Sequence, residues 1–123
     1  MVNNIKNILK PKSEEDIIND LSKLSKQDLD EFFSNIINNS NVSNISNIKL
    51  LLKYGADINY RNKIGWTALH YAVYYDKDEI TEILLKHKAN PNVMTYSGLT
   101  PLKLALKFNK RIINMLKLYG AVS

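Results

Sequence analysis

Gly65-Trp66-Thr67-Ala68-Leu69-His70-Tyr71-Ala72 recurs as Gly98-Leu99-Thr100-Pro101-Leu102-Lys103-Leu104-Ala105, a step of 33 from Gly65 to Gly98. Self-similarity at this period marks a stacked repeat, in which each unit buries its apolar face only against its neighbours. Thr67 and Thr100 are placed to cap the free amides of a first helical turn, and Pro101 occupies the first helical position, where its missing amide costs nothing. A helix is therefore expected from Thr67 to about Tyr75. Asp76 falls at the turn that follows, and Asn109 matches it at the same step.

A second helix repeats as well. Glu79-Ile80-Thr81-Glu82-Ile83-Leu84-Leu85-Lys86 aligns with Arg111-Ile112-Ile113-Asn114-Met115-Leu116-Lys117-Leu118, and an earlier copy is Leu50-Leu51-Leu52-Lys53. Ile45, Ile48, Leu51 and Leu52 lie on one face of that earlier copy, which stops at Gly55. Upstream, Ser13 precedes Glu14-Glu15-Asp16, an N-cap with acids in the first turn, and Ile17, Ile18, Leu21 and Leu24 share a face. Leu29, Phe32, Phe33, Ile36 and Ile37 follow helical spacing in a further helix starting near Ser25 to Asp28 and ending at Asn38-Asn39-Ser40-Asn41.

Composition narrows the function. The chain has 123 residues, 45% of them hydrophobic, and no cysteine, so thiolate metal sites and disulfides are excluded. No stretch reaches the roughly 18 apolar residues of a membrane span. The segment from Met1 to Lys12 is too broken by Asn and Lys for a signal peptide and reads as a flexible N-terminus. An intracellular location is expected, with delivery into a host cell left open. The net charge of +5 is unevenly spread. Residues 83–123 hold Lys86, Lys88, Lys103, Lys107, Lys110, Arg111 and Lys117 without an acid, whereas residues 13–31 hold seven acids against Lys23 and Lys26. Such a dipolar chain favours an acidic partner at its basic end.

The recurring motifs resemble ankyrin repeats. Gly65, Thr67, Leu69, His70 and Ala72 match the family pattern, as do Ile83, Leu84, Leu85 and Ala89, Gly55-Ala56-Asp57 with Asn59, and Gly98, Thr100, Pro101, Leu102, Ala105, Gly120 and Ala121. The resemblance covers about residues 46–121. It implies an all-α solenoid of antiparallel helix pairs joined by β-hairpin-like finger loops. The expected organisation is a helical cap over 13–45 that includes the first helix of a degenerate repeat, a second helix and finger over 46–61, a full repeat over 62–94, and a C-terminal capping repeat over 95–123. Lys103 replaces the family His and Lys117 a core Leu, as a terminal repeat with a polar outer face requires. Lys88 replaces the turn Gly and predicts a left-handed non-glycine.

The resemblance also implies a protein–protein interaction module that binds through its finger tips and the inner face of its first helices. The positions that vary in the family are here Arg61, Lys63, Ile64, Trp66, Tyr74 and Tyr75 in one unit, and Met94, Tyr96, Leu99, Lys107 and Phe108 in the next. Aromatic residues, Met and Arg are the enriched anchors of protein interfaces. Trp66, Tyr74, Tyr75, Tyr96 and Phe108 are expected at the centre of the face, with Arg61, Lys63 and Lys107 at its rim. The partner is expected to be a protein, with the chain acting as a monomer; a viral or bacterial factor that engages a host protein, an inhibitor or immunity protein masking a toxin, and an adaptor inside its own cell remain equal alternatives. His70 is expected to hydrogen-bond Thr67 and the loop backbone, and His87 to sit at a helix C-terminus. No nucleophile with its base, no phosphate loop and no metal-ligand cluster is present, so no catalytic, cofactor or metal role is expected. The competing class is nucleic-acid binding by the basic C-terminal third.

Overall fold

Serine and threonine hydroxyls start four of the seven described helices. In the computed structural model, which describes residues 13–38, 45–105 and 109–122, the Ser13 hydroxyl accepts from the Asp16 amide and opens α1 (Glu14–Leu21). Ser25 does the same for Asp28 at the start of α2 (Lys26–Asn35), which tightens into a 3-10 turn at Ile36–Asn38. There follow α3 (Ile45–Lys53), α4 (Ala68–Tyr74), α5 (Asp78–Lys86), α6 (Pro101–Leu104) and α7 (Lys110–Leu118). The expected flexible segment 1–12 and the loop around Asn39 to Asn41 lie outside the described residues, as do Lys107 and Phe108.

The helices pack in two layers. α2 with its 3-10 turn, α4 and α6 neighbour one another in chain order, and so do α3, α5 and α7; each first helix also packs on its own second helix. One buried cluster runs through all of them, from Leu21, Leu29 and Phe33 through Ile48, Leu51, Leu69 and Val73 to Leu84, Ile112 and Leu116. Residues 13–38 thus share the core of the repeats, with Ile36 and Ile37 buried beneath α4.

A side-chain ladder joins consecutive units. Asn59 Oδ1 accepts from the Asn90 amide (2.8 Å), and Asn92 Oδ1 accepts from the Val122 amide (3.0 Å). The amide of Asp57 holds the same place in the first described unit. There the buried carboxylate of Asp30 on α2 accepts from it at 2.6 Å while pairing with Lys26. Within each turn the leading side chain also folds back, Asp57 onto the Asn59 amide and Asn90 onto the Asn92 amide.

The fingers are tight turns. Asn62 O accepts from the Gly65 amide and Trp66 O from the Asn62 amide, and Thr95 makes the same two links with Gly98 and Leu99. They are hairpin-like in this sense, and no strand is formed among the described residues. Lys88 takes φ 69° and Asp76 φ 60°, both left-handed. Asn109, however, is not the counterpart of Asp76. Its backbone (φ −91°, ψ 78°) matches Lys77 (φ −93°, ψ 86°), and its side chain caps α7 by accepting from Ile112. The step has fallen from 33 to 32 between Ala105 and Asn109, so the last unit is one residue shorter after α6.

One buried group lacks a partner among the described atoms: the Thr81 hydroxyl on α5, fully enclosed. An unpaired buried hydroxyl costs about 1–3 kcal/mol, and removing it without changing the shape recovers part of that. Thr81→Val should therefore stabilise the protein by about 1 kcal/mol, read as a higher midpoint in urea denaturation; an unchanged or lower midpoint would show that the hydroxyl is satisfied.

Candidate partner-binding face

Asn62 organises the first finger. Its Oδ1 accepts from the amides of Ile64 (3.0 Å) and Trp66 (2.9 Å), and its Nδ2 donates to the Tyr71 phenol at 2.6 Å. The finger is thereby pinned to α4, and Trp66 is laid over it. The indole sits 4.8 Å from the Tyr71 ring, 5.4 Å from Tyr74 and 5.9 Å from His70. Tyr75 continues the row, edge-on to Tyr74 and parallel to Tyr71. Tyr74 and Tyr75 are about half exposed, at 53% and 47%, whereas Trp66 is half-buried. Trp66 is the joint between finger and helix, and the tyrosines are the free surface.

The second finger carries Met94 and Tyr96, 54% and 68% exposed. It is clasped to the first. Arg61 donates through Nη2 to the Met94 carbonyl at 2.6 Å and lies 4.8 Å over the Tyr96 ring. The Tyr96 amide reaches the Ile64 carbonyl at 3.3 Å. Gly65 permits this approach: a Cβ there would lie 2.7 Å from the Tyr96 nitrogen and 3.0 Å from its ring. Arg61 is thus engaged within the protein, while Lys63 and Ile64 stand exposed at the tip. Leu99 contributes its carbonyl to His70, and its side chain is partly covered.

His70 ties the two units beneath this surface. Its Nδ1 accepts from the Thr67 amide (3.0 Å) and meets the Thr67 hydroxyl at 2.8 Å, so Nε2 carries the proton and donates to Leu99 O at 3.0 Å. Burial pushes its pKa below the usual value of 6.5, against the opposing carbonyls of Leu99 and Val93 and with a small contribution from Arg61. His87 donates from Nδ1 to Ile83 O at the end of α5.

At the margin nearest α2, Glu31, Tyr60, Asn62, Lys63 and Ile64 line a concavity of about 420 Å³. Partial burial, with the charges of Glu31 and Asp30 beside it, raises the pKa of the Tyr60 phenol. Tyr60, Tyr71 and Asn62 are additions to the residues read from sequence. The four-residue spacing of Tyr71 and Tyr75 was the available signal for Tyr71; Tyr60 and Asn62 gave none without coordinates.

The arrangement of paired helices, capped turns and ladder defines a helical-repeat protein. The chain belongs to the ankyrin repeat family: the family description, ankyrin repeats in three copies, matches residues 36–122. The match starts ten residues before the resemblance visible in the motifs and takes in the 3-10 turn after α2. An ankyrin repeat protein of Acanthamoeba polyphaga mimivirus is 37% identical over 85 residues, 68% of this chain and 52% of that protein. A longer one from the same virus is 41% identical over 75 residues, 61% of this chain and 10% of that protein. The human 2-5A-dependent ribonuclease is 41% identical over 59 residues, 47% of this chain but 8% of the enzyme. The chain spans about half the length of the first of these relatives and a tenth or less of the other two. Ankyrin repeats are general, non-catalytic protein–protein interaction modules. No described helix is long and apolar enough to cross a membrane.

Two consequences are measurable. Gly65 and Gly98 share a left-handed backbone (φ 82° and 86°), but only Gly65 faces a close neighbour. Gly98→Ala should cost about 1–2 kcal/mol from the backbone alone; Gly65→Ala should cost clearly more and loosen the finger clasp, compared by denaturation of both variants. Below about pH 6.5 the unfolded chain binds a proton at His70 that the folded chain resists. The stability from this group is full above that pH and falls as pH drops toward the lowered folded value. Denaturation of the wild type and His70→Gln between pH 7 and pH 5 should show a shallower pH dependence in the variant; equal slopes would exclude His70 as the source.

Proposed function

We propose that this protein is a non-catalytic binding module that engages a partner protein through the concave face formed by its finger tips and first helices. One observation carries the reading: Tyr74, Tyr75 and Tyr96, with Ile64 and Met94, form a run of large apolar side chains left open to solvent on two adjacent units. Rigid aromatic side chains supply contact area at low entropic cost and dominate interface energetics. Trp66 and Arg61 hold the tyrosines and the second finger in place. Lys63 and Leu99 complete the face, to which Phe108 at the centre and Lys107 at the rim are assigned on sequence alone. In this reading the protein acts as an intracellular monomer, and residues 13–38 cover the open N-terminal end of the stack, as a short repeat array needs.

The basic C-terminal third offers less to a nucleic acid. Arg111 lies 3.7 Å from Asp78, and Lys86 lies 4.0 Å from Glu82, so part of its positive charge is answered within the protein. Tyr74→Ala combined with Tyr75→Ala is the informative variant, because both side chains are exposed and neither ring is enclosed by the core. Affinity capture from the native source should recover a partner with the wild type and lose it with the variant, a drop of about 30-fold or more for a loss of about 2 kcal/mol. Retained capture by a folded variant would place the interface elsewhere.

A further inference from the structure

The distribution of acids around this face defines its occupant further. All 12 acidic residues lie in residues 14–31, at Asp57, or between Asp76 and Glu82. The two fingers and the first helices beside them, residues 58–75 and 91–104, contain no Asp or Glu and three cations: Arg61, Lys63 and Lys103. Arg61 is held against Met94 and Tyr96. Lys63 and Lys103 are exposed and form no ion pair with a described residue. Lys103 occupies on α6 the place that His70 occupies on α4 one repeat earlier, so it stands exposed on the side of α6 that points away from α4, beside the C-terminal edge of the face. Lys63 marks the tip of the first finger. The exposed tyrosines, Ile64 and Met94 lie on the same two units as these two ammonium groups.

Resting on the reading of this face as a protein-binding surface, we infer that its occupant is an acidic segment of a partner protein, with aromatic or aliphatic anchors on the tyrosine row and carboxylates at Lys63 and Lys103. Across residues 58–75 and 91–104 an acidic segment meets no carboxylate, and the acids that bound the face stand at its margins, Glu31 in the concavity beside Lys63 and Asp76 after Tyr75. Two solvated lysines at the edge exchange water for carboxylate at little desolvation cost and steer the encounter. Among the described residues of this face three cations are spread over two repeats, one of them already engaged, and that is a sparse track for a phosphate backbone, where affinity grows with the number of phosphates neutralised.

The test pans a random peptide library displayed on phage against the full chain, the Tyr74→Ala/Tyr75→Ala variant and the Lys63→Glu/Lys103→Glu variant. All four positions are exposed, and circular dichroism checks the fold of each variant. Peptides selected on the wild type should be enriched in Asp and Glu beside aromatic or aliphatic residues. A synthetic copy should bind at least about tenfold more weakly to either double variant. Selection on the charge-reversed protein should lose the acidic bias. Peptides without an acidic bias that still require Tyr74 and Tyr75 would overturn the inference and leave the binding face standing. Peptides indifferent to the tyrosines, or no enrichment at all, would overturn both. Oligothymidylate bound more tightly than the selected peptides, and weakened by the same tyrosine substitutions, would replace the acidic segment with a nucleic acid.

Discussion

Each helix pair in this protein turns toward its successor with a backbone amide already committed to a side chain of the unit before. Asp57 leans on Asp30, Asn90 on Asn59, and Val122 on Asn92. Asp57, Asn90 and Val122 are exposed residues, so their amides could turn to water instead, and the links align each turn with the one before rather than add burial energy. The ladder holds the register in which units stack. The apolar seam through Ile48, Leu69, Leu84 and Ile112 closes in that register. The first described unit makes the same link by another route. There the acceptor comes from a helix rather than from a finger, and a carboxylate is buried to provide it.

The face proposed for binding is a by-product of the same register. Because His70 spans from Thr67 to the Leu99 carbonyl and Arg61 spans from one finger to the next, the two fingers move as one piece. Trp66 is used up in this joint, with three aromatic rings around it. That frees Tyr74 and Tyr75, one helical turn further along, to present their rings outward. A surface held this way loses little conformational entropy on binding, which is how a small repeat protein can offer useful affinity.

Much of this was legible in the chain. Period, caps and apolar spacing follow from local rules, so Ser13, Ser25, Thr67 and Thr100 announce their helices and the Leu-rich stretches announce the core. Lys88 was legible as a left-handed residue because a non-glycine stands in a glycine slot. The misplacement of Asn109 has an equally simple cause. A repeat step read across a one-residue deletion assigns the wrong partner, although the second helices, Glu79 against Arg111, already align at 32; the backbone angles then identify Asn109 as a helix cap. Asp30 was illegible for another reason: in an acidic run it looks like solvated charge, and its burial depends on a turn 27 residues away.

The sequence by itself determined that this protein is a stack of helix pairs and that its family-variable slots hold aromatic side chains, because both are carried by period and residue type. The tertiary structure decided which of those side chains are spent on holding the fingers and which remain open. Trp66 and Arg61 went to the first group, and Tyr74 and Tyr75 to the second. The reason is geometric: exposure and pairing depend on what the neighbouring repeat places opposite a residue, and no local pattern records that.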